Sequence, residues 1–180
     1  MCHEEHPECG VSDPAPGGSA TSSTTPARPI LFLDVDGVLN PLGSPPGYRE
    51  HRIEGFPILL NPDHRWELLD LARDFDLAWA TTWEDDANVE IGPRLGLPSL
   101  PVVHFEFDSK WPDIVDFAGT RPFAWLDDNA GPDEVRWAND RDRRVAPTLI
   151  VQVNAITGVR DADFATVRAF LGRCRNPLVV

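Results

Sequence analysis

Apolar positions along the chain fall into short continuous runs, and these alternate with stretches in which apolar residues recur at helical spacing. Pro29 to Val35 (PILFLDV), Leu77 to Ala80 (LAWA), Pro101 to Phe105, Phe123 to Leu126 (FAWL) and Thr148 to Val153 are runs of the first kind. Runs of that length suit strands buried on both faces. Between them the period changes. Asn61-Pro62-Asp63 combines a capping side chain, a first-turn proline and an early acid. It predicts an amphipathic helix carrying Trp66, Leu69 and Ala72. A second helix is expected from about Glu84 to Leu95, stopped by Gly96 with Pro98 just beyond. Ser109 is placed to cap a short third helix with Trp111, Ile114 and Val115, ending at Gly119. A polar helix around Asp133 to Asn139 and a last one from Asp161 to Leu171 complete the pattern. Strands alternating with helices predict an α/β fold around a mainly parallel sheet.

Residues 1–28 break this pattern, being poor in large apolar side chains and rich in Pro, Gly, Ser and Thr. Such a segment cannot bury enough surface to offset the entropy of ordering, so a disordered tail is expected, followed by one domain over residues 29–180. Cys2, His3, His6 and Cys9 in the tail are of zinc-ligand type, but their spacing matches no standard finger and no second ligand pair follows. The three cysteines are an odd number and form no disulfide framework.

Composition sharpens the picture. The chain has 180 residues, 42% of them hydrophobic, enough for one real core. It carries 29 acidic and 16 basic residues, a formal charge of −13. That field repels phosphodiester backbones and anionic lipid, so tight non-specific nucleic-acid binding and membrane association are not expected. The first ten residues, MCHEEHPECG, lack the apolar stretch of a secretory signal, and a cytoplasmic location is the expectation. Six tryptophans mostly read as packing, with Trp83 the one expected to border a site. Acids interleave Arg141, Arg143 and Arg144, as on a solvated face. His51, His64 and His104 have no partner at ligand spacing and read as surface or core residues.

Candidate chemistry gathers at the strand ends, where open α/β sheets bind ligands. Asp34 and Asp36 follow the first predicted strand, and Thr81 and Thr82 follow the second. Lys110 opens the helix after the third, and Asp127 and Asp128 follow the fourth. Any one of these residues explains itself as a helix cap. Four strand ends delivering carboxylates, a hydroxyl and an ammonium to one edge point to a site. Lys110 is also the only lysine among the 16 basic residues.

The ordered set resembles the haloacid dehalogenase-like (HAD) superfamily of phosphotransferases. Asp34-Val35-Asp36-Gly37-Val38-Leu39 is similar to its first motif, Thr81 to its second, Lys110 to its third and Trp125-Leu126-Asp127-Asp128 to its fourth. The string WATTWEDDAN, followed by LGLPSLPVV, is similar to the HAD domain of multidomain Swiss-army-knife RNA repair proteins. The resemblance implies a three-layer Rossmannoid fold and a phosphatase working through an aspartyl-phosphate. Asp34 would be the nucleophile, and Asp36, on the same side at strand spacing, the general acid and then base. Lys110 would offset charge, Thr81 (or its neighbour Thr82) would bind a phosphate oxygen, and Gly37 would let the backbone turn beside it. Mg²⁺ is the implied cofactor, held by Asp34, the Asp36 carbonyl and Asp128, with Asp127 orienting that shell.

The interval NPLGSPPGYREHRIEGFPILL is short for a cap domain and predicts only a flap or small loop, so that the cap is minimal or absent. Tyr48, Arg49, His51 and Arg52 on it are candidate substrate contacts. An open site of this kind would take a phosphorylated small molecule, such as a nucleotide, or a nucleic-acid end. Two other readings compete. One is a non-catalytic HAD-fold regulatory or protein-binding module, its protein partner unknown. The other is a metal-dependent glycosyltransferase, which leaves Lys110 and the Asp127-Asp128 pair unexplained.

Overall fold

The computed structural model describes residues 27–106 and 108–175. The expected tail, with Cys2, His3, His6 and Cys9, lies outside them except for Ala27 and Arg28. Four strands form a parallel sheet: β1 (Ile30–Leu33), β4 (Asp76–Trp79), β5 (Phe123–Asp127) and β6 (Thr148–Gln152), in the order β4-β1-β5-β6. Two further strands, β2 (Arg49–Ile53) and β3 (Phe56–Leu60), pair antiparallel as a separate hairpin. The helices are α1 (His64–Leu71), α2 (Gly92–Leu95), α3 (Trp111–Ala118), α4 (Pro132–Arg144) and α5 (Asp161–Arg175).

Alternation along the strands divides the core in two. Leu31 and Leu33 of β1 join Leu77 and Trp79 of β4 and Ala124 and Leu126 of β5 on one face, against Leu68 and Leu71 of α1 and Phe164, Val167 and Phe170 of α5. Ile30 and Phe32 join Ala78, Phe123 and Trp125 on the other face, against Ile114 and Ala118 of α3. The sheet therefore lies between two helical layers, and its central strands are apolar throughout because both faces are covered.

Several expectations are corrected. Pro101 to Phe105 does not form a full strand; Val102 makes a single parallel bridge to Trp79. The helix expected from Glu84 begins as a turn with Glu84 at φ 45° and continues as a wide π-helical turn over Ala87–Ile91 before α2. Pro93 has no N–H to return to the preceding turn, which interrupts regular α-helical bonding there. Gly96, at φ 64°, ends it as expected. In α1 the buried face is His64, Leu68 and Leu71, whereas Trp66 is 67% exposed rather than core. Trp137 is also exposed. The polar helix runs on to Arg144, and Arg141 is buried, not solvated. Its guanidinium donates to the carbonyls of Gly119 and Arg121 and to Thr148 Oγ1, and it lies 4.7 Å from the centre of the Phe123 ring. That contact ties α4 to the sheet. Among the described residues, no helix is long and apolar enough to cross a membrane.

Candidate active site

The chain passes from β1 to β4 on one side of the sheet and then to β5 on the other. The order therefore reverses between β1 and β5, and the crevice beyond their carboxyl ends is where such a sheet offers a binding site. Asp34 follows β1 directly, and Asp127 ends β5. Both are buried.

Asp34 is held on both oxygens. Its Oδ1 accepts the Val35 N–H at 2.7 Å, and its Oδ2 accepts Lys110 Nζ at 2.5 Å. The same ammonium reaches Asp127 Oδ2 at 2.8 Å, while Asp127 Oδ1 accepts the Asn129 N–H. Lys110 stands immediately before α3, so the helix start carries a cation into the gap between two strand ends. Burial, opposed by Lys110 and reinforced by Asp127, holds the Asp34 carboxyl up at about 7. Burial also opposes charge on Lys110, but the Asp34 and Asp127 carboxylates outweigh it and hold the ammonium above its ordinary value. Burial, and then Asp127, raise the Asp128 carboxyl.

Asp128 enters the group through Gly37. Gly37 has φ 74°, and a Cβ built on it would lie 2.3 Å from the Asp128 carboxyl carbon. Only glycine leaves that carboxylate its place. One oxygen from each of Asp34, Asp127 and Asp128 lies within 4.8 Å of the others. Opposite oxygens around Mg²⁺ stand about 4 Å apart, so a small closure would seat a hard divalent cation among them. Three carboxylates against one ammonium leave a net negative charge for such an ion to balance.

Asp36 is not one of this trio, although its charge reaches Asp128 and helps to raise that carboxyl. Asp36 is exposed, its Oδ1 accepts Asn40 Nδ2 at 2.7 Å, and its Oδ2 accepts Trp83 Nε1 at 2.9 Å. The Asp36 carboxylate thus stands outside the acidic trio, beside it in the chain. Asn40 was not singled out from the sequence. It is buried, and its Oδ1 accepts the Leu59 N–H at 2.9 Å, so it connects Asp36 to the β2–β3 hairpin. Trp83 borders the site as expected. Thr81 is fully buried, with its Oγ1 3.4 Å from the Trp83 N–H it accepts, and Thr82 presents the exposed hydroxyl of the pair.

The hairpin stands over Asp36. Of its candidate contacts, Arg49 and Arg52 are exposed and Arg52 pairs with Glu50. Tyr48 turns away, its ring edge-on to buried His64 and its hydroxyl toward the Thr157 and Val159 carbonyls. A cavity of about 290 Å³ opens between the hairpin and the segment from Trp83 to Glu90, with Asp36 in its wall. A larger hollow of about 700 Å³ between α3 and α4 is lined by none of these carboxylates. No family model matches the chain, and no curated protein sequence matches it.

Proposed function

We propose that the chain is a Mg²⁺-dependent phosphomonoester hydrolase of the HAD type, working through an aspartyl-phosphate on Asp34. The observation that carries this reading is the buried Asp34 carboxylate at the switch between β1 and β5, joined to Lys110 at 2.5 Å and backed by Asp127 and Asp128. Asp34 and Asp128 would hold the cation, with Asp127 beside them. When bound, it neutralises charge that would otherwise repel a phosphate dianion.

The remaining work falls to side chains of this chain. Asp34 attacks phosphorus as the bond to the leaving oxygen breaks, and Asp36 passes its proton to that oxygen. A water then gives a proton to Asp36 and attacks phosphorus, releasing inorganic phosphate and restoring Asp34. Lys110 balances charge on Asp34 and the phosphoryl group, and a hydroxyl of the Thr81-Thr82 pair meets a phosphate oxygen. Asn40 and Trp83 aim Asp36. The substrate is a phosphorylated small molecule, such as a nucleotide, or a nucleic-acid end.

Hydrolysis of a generic aryl phosphate by the purified chain, with and without Mg²⁺, tests the reading. Turnover should require Mg²⁺ and fall on the order of a thousandfold or more in Asp34→Asn. Turnover that survives that substitution would rule the mechanism out.

A further inference from the structure

The cavity beside Asp36 lies where the leaving group of such a reaction would sit, because Asp36 is the group that protonates the leaving oxygen. Its apolar walls are Ile53, Phe56 and Ile58 from the hairpin and Trp83 from the opposite side. Phe56 is 69% exposed and lines the cavity, so its ring is open to a ligand there. Two aromatic side chains facing across about 290 Å³ suit a flat ring.

The polar lining is of one sign. Asp36, Glu54, Asp86 and Glu90 contribute carboxylates, and no lysine or arginine is among the lining residues. Glu90 is neutralised by Arg94, 2.8 Å away. Glu54 and Asp86 make no ion pair among the described residues. Glu54 also occupies the left-handed region, φ 50°, at a hairpin turn where asparagine or glycine is the usual choice. Its presence there is not explained by the turn. An anionic leaving group, including the next phosphodiester of a nucleic-acid end, would meet Asp36, Glu54 and Asp86 with like charge.

We propose that this cavity selects the alcohol part of the substrate, and that the preferred substrates are phosphomonoesters of small aromatic alcohols bearing an amine rather than polyanionic nucleic-acid ends. The proposal rests on the phosphatase reading. The ring lies between Trp83 and Phe56, and the ammonium faces Glu54 and Asp86.

Three matched phosphates separate charge from shape: tyramine O-phosphate, para-ethylphenyl phosphate and the phosphate of para-hydroxyphenylacetate. The expected order of kcat/KM is cationic, neutral, anionic, with about tenfold between the ends. In a Glu54→Gln, Asp86→Asn double variant the ratio between cationic and anionic substrates should approach one. A wild-type ratio of one or less, or a ratio unchanged in the variant, overturns the proposal. If none of the three is hydrolysed while nucleoside monophosphates are, the proposal is overturned; if no phosphomonoester is turned over at all, the phosphatase reading itself fails, and the cavity is judged by binding alone. The indole N–H signal of Trp83, identified in NMR spectra by its loss in Trp83→Phe, should then move with tyramine and not with para-hydroxyphenylacetate. No movement with tyramine, or equal movement with both, overturns it.

Discussion

Lys110 Nζ lies 2.5 Å from Asp34 Oδ2 and 2.8 Å from Asp127 Oδ2, so one ammonium joins the start of α3 to the ends of two neighbouring strands. Removing it leaves two buried carboxylates facing one another. Lys110→Met should cost about 3 kcal/mol, as for other broken buried ion pairs. The cost has a pH sign. Without the ammonium, the folded Asp34 carboxyl holds its proton still further above the ordinary range, so the folded state binds more protons than the unfolded one. Stability then falls as pH rises. Urea titrations without divalent cation should show a deficit relative to wild type that is larger at mildly alkaline than at mildly acid pH.

Gly37→Ala tests the seat of Asp128. The substitution meets both a left-handed φ of 74° and the Asp128 carboxyl. Gly55 also has a positive φ, 89°, but nothing lies near its missing side chain. Both alanine variants should lose about 1 kcal/mol through backbone strain. Only Gly37→Ala should also weaken Mg²⁺ binding, by about tenfold or more in calorimetry, since only there must a cluster carboxylate move.

Asn40 and Trp83 each donate to one oxygen of Asp36, at 2.7 and 2.9 Å. Neither touches phosphorus in the proposed reaction, so their loss should misplace the proton donor without emptying the phosphate site. Trp83→Phe should lower kcat about tenfold, the worth of one hydrogen bond to a charged group, with little change in KM for a small aryl phosphate. Asn40→Asp keeps the acceptor for the Leu59 N–H but sets a second carboxylate against Asp36. It should move the alkaline limb of the pH-rate profile upward, since a general acid must hold its proton, which a purely structural role would not do.

His64 predicts a pH dependence of stability. Buried edge-on between Tyr48 and Phe164, it is pushed down from 6.5 to about 4 by burial, against the opposite pull of Asp161, Asp63 and Glu67. Between those values the unfolded chain binds a proton that the folded chain does not, so stability is lost as pH falls through the window. The loss amounts to about 3 kcal/mol. Denaturation of wild type and His64→Phe across the window should give curves that diverge by this amount toward acid pH.

The central sheet was legible because residues 30–33, 77–79 and 123–126 are covered on both faces and so are apolar without interruption. The carboxylates and the Thr81-Thr82 pair were legible because they lie at the ends of those strands, and Lys110 because it opens the helix α3. The hairpin was not. Arg49–Ile53 is mostly charged, and Phe56–Leu60 carries Pro57, which is tolerated only because the strand is an edge with no second neighbour. Asn40 was missed for a related reason: its importance is a contact with Leu59, nineteen residues along the chain. No local pattern encodes it. Trp66 misled because tryptophan ordinarily reads as core, and only the finished packing shows α1 turning Leu68 and Leu71 inward instead. Arg141 was hidden by its acidic neighbours Asp140 and Asp142, although its guanidinium satisfies carbonyls at the end of α3.

The covalent step is the centre of the account. Acid-quenched enzyme, sampled during the first turnover with an aryl phosphate and Mg²⁺, should carry one phosphoryl group on the peptide containing Asp34. Asp34→Asn should carry none. A phosphoryl group found on another residue, or full turnover with no phosphorylated peptide at any time, would contradict it.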